Sequence, residues 1–93
     1  MRILVVEDND VLARALVATL RHERYAVDLA TTGAAASELA AVNDYDLVVL
    51  DWSIPPPTGI ELLRAWRAEG SDVPVLMLTG HADLDHTVDG LDT

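Results

Sequence analysis

The sequence of 93 residues contains no cysteine, so the chain can form neither disulfides nor thiolate metal sites. It has no apolar run that approaches the roughly 18 residues of a membrane-spanning helix. The apolar start of the chain turns acidic at Glu7, which is too early for a secretory signal peptide. Together these absences favour a cytoplasmic protein that makes no contact with a membrane.

Basic residues are also scarce. All six are arginines, lysine is absent, and 16 acidic residues bring the formal net charge to −10. Because contacts with nucleic-acid phosphates need Lys and Arg, this balance argues against direct nucleic-acid binding by this segment. Apolar residues, in contrast, make up 51% of the chain, which is enough for the core of one small domain.

Four short segments have the composition of β-strands. Three are continuous apolar runs, which are typical of strands covered on both faces, and one alternates more and is expected at the outside of the sheet. In the last of them Pro74 comes near the start, where no backbone donor is needed. The predicted strands are residues 3–6, 25–30 (the alternating one), 47–50 and 73–78.

Helical patterns separate these strands. After a capping group at residues 8–10, Leu12, Leu16 and Leu20 recur at helical spacing and are expected to face the core. Three further helices are predicted over residues 34–42, 60–69 and 83–91, with Gly70 suited to the C-terminal cap of the second of these. Alternating strands and helices predict an α/β fold, a doubly wound parallel sheet with crossover helices.

Polar side chains follow three of the predicted strands, at the edge where ligands bind in such sheets. Glu7 and Asp8 follow the first strand, Asp51 follows the third and Thr79 follows the fourth. Three carboxylates packed together repel one another, and a hard divalent cation such as Mg²⁺ offsets that repulsion with oxygen ligands. An aspartate in such a site can attack phosphorus, and Thr79 could donate a hydrogen bond to a phosphoryl oxygen.

Four stretches of the chain resemble the receiver domains of bacterial two-component response regulators. They are ILVVEDN (3–9), DLVVLDWSIPPPTGIELL (46–63), VPVLMLTG (73–80) and DHTVDGLD (85–92), in the order and at the spacing of that family. The resemblance implies a flavodoxin-like strand order of 2-1-3-4-5.

The same resemblance implies a role for each candidate site residue. Asp51 corresponds to the phosphoacceptor, and Glu7 and Asp8 correspond to the acidic pair that holds Mg²⁺ together with Asp51. The backbone carbonyl of Ser53 is implied as a further metal ligand, and Thr79 as the switch hydroxyl.

The chain departs from the family in two places. Residues 55–59, Pro-Pro-Pro-Thr-Gly, replace the family's usual proline, glycine, apolar residue, acid and glycine, and should form a stiffer loop because each proline fixes φ. The family also continues with a fifth strand, which carries an essential lysine, and a fifth helix. We therefore expect one receiver domain over residues 1–93, incomplete at its C-terminus, that dimerises, exchanges elements or is partly unfolded when alone.

The implied function is a signalling switch rather than an enzyme. Asp51 would accept a phosphoryl group from a sensor histidine kinase in a Mg²⁺-dependent reaction, and the change would control an effector domain. Residues 89–92, DGLD, resemble receivers that are attached to winged-helix DNA-binding domains, which implies control of transcription. The alternative is a receiver-like interaction or dimerisation module that is not phosphorylated. A hydrolase with an aspartate nucleophile is a more distant possibility, because Ser53 stands where such enzymes carry a second acid.

Overall fold

A computed structural model describes residues 1–78 of the protein. Strands and helices alternate along them, as the sequence predicts, and the boundaries differ from the predicted ones by one or two residues. The elements are β1 (Arg2–Val6), α1 (Asp10–His22), β2 (Ala26–Ala30), α2 (Gly33–Val42), β3 (Leu47–Asp51), α3 (Gly59–Ala68) and β4 (Val75–Leu78). The predicted switch residue Thr79 and the helix predicted over residues 83–91 lie outside the described residues.

The four strands form one parallel sheet in the order β2-β1-β3-β4. This order confirms the first four strands of the predicted flavodoxin-like arrangement. Strands β1 and β3 are neighbours at the centre of the sheet, with Val6 opposite Leu50. Their carboxyl ends therefore lie side by side, and the residues that follow them share one edge of the sheet.

Apolar side chains cover both faces of the sheet, because successive residues of a strand point to opposite sides. Leu4 and Val6 of β1 pack on the face that carries α2 and α3, whereas Ile3 and Val5 pack on the face that carries α1. The continuous apolar runs of β1 and β3 are therefore needed on both sides, as predicted. Fully buried side chains include Ile3, Leu4, Val5, Val6, Leu50, Leu63 and Met77.

The buried face of α1 differs from the predicted one. Ala13 and Val17 are its buried residues, and Leu16 and Leu20 pack partly against the core. Leu12 is 41% exposed, so its predicted core position is wrong. The stripe runs along i, i+3, i+4 and i+7 from Ala13, and the small Ala13 brings the start of the helix close to the sheet.

Local signals in the sequence fix both ends of α3. The Thr58 hydroxyl accepts a hydrogen bond from the Glu61 N–H at 3.3 Å, and the Glu61 carboxylate accepts one from the Thr58 N–H at 3.1 Å, forming a capping box. Past the C-terminal end, Gly70 has φ of 89°, a conformation that glycine adopts at little cost, as predicted for the cap. None of the helices within residues 1–78 is long and apolar enough to cross a membrane.

A polar cluster ties the start of β1 to the middle of β2 and to the segment before β3. The Arg2 guanidinium forms a salt bridge with Asp28 at 2.9 Å and lies over the Tyr45 ring, 5.4 Å from its centre. The Tyr45 hydroxyl donates a hydrogen bond of 2.7 Å to Asp28 Oδ2. These contacts join β1, β2 and the segment before β3 at the edge opposite the carboxylates.

Candidate functional site

Three carboxylates meet at the carboxyl edge of the sheet. Glu7 follows β1 directly, Asp51 is the last residue of β3, and the parallel pairing of these strands brings the two residues together. One oxygen each from Glu7, Asp8 and Asp51 lies within 4.8 Å of the others. The structure thus assembles the three acidic residues that the sequence analysis placed at this edge.

The three carboxylates differ in their exposure to water. Glu7 is 3% exposed and Asp51 is 4% exposed, whereas Asp8 is exposed. The pKa of Glu7 is raised from 4.5 to about 7, mainly because burial disfavours the carboxylate, and hydrogen bonding and charge repulsion from Asp51 act in the same direction. The Asn9 N–H, which donates to Glu7 Oε2 at 3.1 Å, acts in the opposite direction by stabilising the carboxylate. The site therefore resists full ionisation unless a positive charge enters it.

The loop after β3 turns back onto the Asp51 side chain. Asp51 Oδ1 accepts a hydrogen bond from the Ser53 N–H at 3.1 Å and another from the Ser53 hydroxyl at 3.2 Å. The N–H of Trp52, the residue between Asp51 and Ser53, donates a hydrogen bond of 2.6 Å to the Leu78 carbonyl at the end of β4. Asp51 is thus held from its own loop and from the neighbouring strand. Only the main-chain carbonyl of Ser53 was predicted as part of the site, and the contact of its hydroxyl with Asp51 was not.

Two glycines allow close backbone approaches around this loop. A Cβ on Gly59 would collide with the backbone carbonyl of Asp51, so the start of α3 is packed directly against the end of β3. A Cβ on Gly33 would collide with the backbone carbonyl of Pro57, so the proline loop lies against the start of α2. The loop that carries Ser53 is therefore confined between the beginnings of two helices.

The donor set of the cluster suits a hard divalent cation. All of its ligand atoms are carboxylate oxygens, which Mg²⁺ and similar ions prefer, whereas zinc sites usually include nitrogen or sulfur. Burial, together with the neighbouring Asp51, disfavours the ionised form of Glu7, and a bound cation would offset that cost. Glu7, Asp8 and Asp51 are the residues that could hold it, with Ser53 beside them.

Comparison with known proteins gives consistent results along the whole chain. Residues 3–93 match the family model described as the response regulator receiver domain. The chain is 47% identical over 92 residues to the transcriptional regulatory protein CutR of Streptomyces coelicolor, and 41% identical over 92 residues to PmrA of Pectobacterium parmentieri. These alignments cover 99% of this chain but 42% and 41% of the two relatives. The chain thus spans about two fifths of their length.

Solved structures share the same architecture. The receiver domain of the Francisella response regulator 1452 superimposes with a TM-score of 0.88 at 27% identity, covering 98% of this chain and 75% of that one. The response regulator TrrA of Thermotoga maritima, solved in complex with Mg²⁺ and BeF, gives a TM-score of 0.84 at 31% identity, covering 98% of this chain and 81% of that one.

Proposed function

This chain belongs to the receiver-domain family of response regulators, and from that premise we propose that Asp51 accepts a phosphoryl group from a phosphohistidine of a sensor kinase. The observation that carries this proposal is the convergence of Glu7, Asp8 and Asp51 within 4.8 Å at the carboxyl edge of the sheet. Asp51 supplies the oxygen that forms the new bond to phosphorus, while the bond from phosphorus to the donor nitrogen breaks. The product is an aspartyl phosphate on the protein itself.

A divalent cation, Mg²⁺ in the cell, is the cofactor that we propose for this step. Glu7, Asp8 and Asp51 would hold it through carboxylate oxygens, together with the backbone carbonyl of Ser53. When bound, the ion would offset negative charge on the transferring phosphoryl group. The protein positions the acceptor by burying Asp51 at the end of β3 and by hydrogen bonding its side chain from Ser53.

The proposed output is control of an effector in a longer protein. The relatives CutR and PmrA carry the name of transcriptional regulatory proteins, and this chain matches two fifths of their length. We infer a DNA-binding effector domain, with Thr79 as the hydroxyl that reorients after phosphorylation and with dimerisation as the step that the switch controls. The acidic segment itself takes no part in DNA contacts, because its net charge is −10.

Covalent labelling tests the proposal. The full-length protein is incubated with acetyl phosphate or with beryllium fluoride, with and without Mg²⁺, and the modified residue is identified by mass spectrometry or by ¹⁹F NMR. We expect labelling at Asp51 that requires Mg²⁺ and disappears in Asp51→Asn. The matched control is Asp44→Asn, an exposed aspartate in the turn before β3, which should label like the wild type. Absence of Mg²⁺-dependent labelling in the full-length wild type would refute the switch function and leave the unphosphorylated interaction module.

A further inference from the structure

Both hydrogen bonds from Ser53 to the Asp51 carboxylate go to the same oxygen. The Ser53 N–H donates to Oδ1 at 3.1 Å, and the Ser53 hydroxyl donates to the same oxygen at 3.2 Å. Among the amide and hydroxyl groups of residues 1–78, these are the two donors to this side chain. The two oxygens, which are equivalent in a free carboxylate, are therefore distinct in the folded protein.

This asymmetry bears on which oxygen can attack phosphorus. The torsion that rotates an aspartate carboxylate is broad and roughly two-fold, so covalent structure alone does not decide which oxygen faces a donor. Two donors on Oδ1 restrain that rotation and draw electron density from Oδ1. Oδ2 accepts neither of the bonds from Ser53 and is therefore the oxygen that can turn towards a phosphoryl donor.

The Ser53 hydroxyl is suited to this task by its location. The residue is exposed, so its side chain fills no space in the core, and within the described part of the chain its hydroxyl makes no other hydrogen bond. Its loop is confined by the close approach of Gly59 to Asp51 and of Gly33 to Pro57. The hydroxyl is therefore held near Asp51 by the backbone without contributing to the packing of the domain.

We propose that the Ser53 hydroxyl is a positioning group for phosphoryl transfer, which holds Oδ1 of Asp51 and so presents Oδ2 to the phosphoryl donor. This inference rests on the proposed function and adds a residue to it. With acetyl phosphate, a lone pair of Oδ2 forms the bond to phosphorus, and the bond between phosphorus and the acetate oxygen breaks. Acetate leaves with that electron pair, and Ser53 forms no bond to any reacting atom.

The side chain and the main chain of Ser53 have separable roles. Substitution by alanine removes the hydroxyl but keeps the N–H bond to Oδ1 and the backbone carbonyl that we propose as a metal ligand. The loss should therefore reduce the rate of phosphoryl transfer while leaving the affinity for Mg²⁺ unchanged. A merely structural role would not separate these two quantities.

The experiment measures phosphorylation of the full-length protein by acetyl phosphate as a function of donor and Mg²⁺ concentration. Losing one of the two hydrogen bonds that orient the carboxylate should lower the maximal rate of Ser53→Ala about 3- to 10-fold, because the N–H bond to Oδ1 remains. The Mg²⁺ concentration at half-saturation should stay within about twofold of the wild type. Ser53→Thr keeps the hydroxyl and should be phosphorylated at the wild-type rate. Ser37→Ala alters an exposed serine on α2 and should also be phosphorylated at the wild-type rate.

Three results would overturn the proposal. Ser53→Ala could be phosphorylated as fast as a wild type that takes the label. Ser53→Thr could lose as much of the phosphorylation rate as Ser53→Ala. The alanine variant could also lose affinity for Mg²⁺ together with its phosphorylation rate. Each of these removes the positioning role and leaves Asp51 as the acceptor. A wild type that takes no label refutes the proposed function, and the positioning role with it.

Discussion

Replacing Glu7 by glutamine should stabilise the metal-free protein at alkaline pH, although it alters the candidate metal site. The pKa of Glu7 rises from its ordinary value of 4.5 to about 7 in the folded protein, because burial and the nearby Asp51 disfavour the ionised form. Between these two values the folded state binds more protons than the unfolded state, so the free energy of unfolding falls as the pH rises. A shift of this size lowers the free energy of unfolding by about 3 kcal/mol, and the full loss is reached at pH values above the pKa of the folded protein. Glutamine carries no charge and escapes this penalty.

Urea unfolding followed by far-UV circular dichroism can measure this effect in EDTA. Glu7→Gln should exceed the wild type by about 2 to 3 kcal/mol near pH 8 and by less than about 1 kcal/mol near pH 4.5. Adding Mg²⁺ should stabilise the wild type more than the variant, because the variant has lost one carboxylate ligand. Glu38→Gln, an exposed site on α2, serves as the control and should show no comparable pH dependence. The reasoning is refuted if Glu7→Gln is the less stable protein near pH 8 in EDTA, or if its advantage does not change with pH.

Three other substitutions test the frame around the site, each by urea unfolding. Thr58→Ala removes the hydroxyl of the capping box and should lower the free energy of unfolding by about 1 kcal/mol. An unchanged free energy of unfolding would show that the cap is dispensable. Gly59→Ala should cost about 1 to 3 kcal/mol and impair labelling of Asp51, because its Cβ would collide with the Asp51 carbonyl. Tyr45→Phe removes the hydrogen bond that is the main cause of the lowered pKa of Asp28, and should cost about 1 kcal/mol at neutral pH. Because a lowered carboxyl pKa stabilises only above the unfolded value of 3.8, that cost should shrink in more acidic solution.

The parallel sheet could be predicted because its signal is one of composition, whereas the order of its strands was implied by the resemblance to receiver domains. A strand covered on both faces needs apolar residues at every position, and the runs at residues 3–6 and 47–50 satisfy that need over a length too short for a helix. Once β1 and β3 are recognised as the buried strands of a parallel sheet, the residues after them must share an edge. The meeting of Glu7 and Asp51 follows from this topology alone.

The orientation of α1 could not be predicted with the same success. Its sequence offers two overlapping apolar stripes, one through Leu12 and the other through Ala13 and Val17, and larger side chains favour the first. The structure selects the second, in which Ala13 and Val17 are buried, because a small residue allows a helix to pack closely on its neighbours. Side-chain size along a helix is thus a poor guide to its buried face when alanines are frequent.

Other features depend on contacts that no local pattern describes. The hydrogen bond of Tyr45 to Asp28 joins residues that are 17 positions apart, and it requires the register of β1 with both neighbouring strands. The capping box of Thr58 and Glu61 is different, since its Thr-x-x-Glu spacing was visible in the sequence and could have fixed the start of α3. The Ser53 hydroxyl lies between these cases, because a serine two residues after an aspartate often bonds back to it, but only structure shows which oxygen accepts.

Glu7 and Asp8 are adjacent in the sequence and were treated as an equivalent pair, yet the sheet gives them different electrostatic roles. Glu7 continues the path of β1, since its N–H donates to the Ala30 carbonyl of β2 at 3.0 Å, and its side chain is carried into the protein beside Asp51. Asp8 lies beyond the sheet and is exposed to water. The free-energy cost of assembling the acidic cluster therefore falls mainly on the buried pair of Glu7 and Asp51. A cation bound beside this pair would therefore restore most stability, and the raised pKa of Glu7 makes that stability depend on pH.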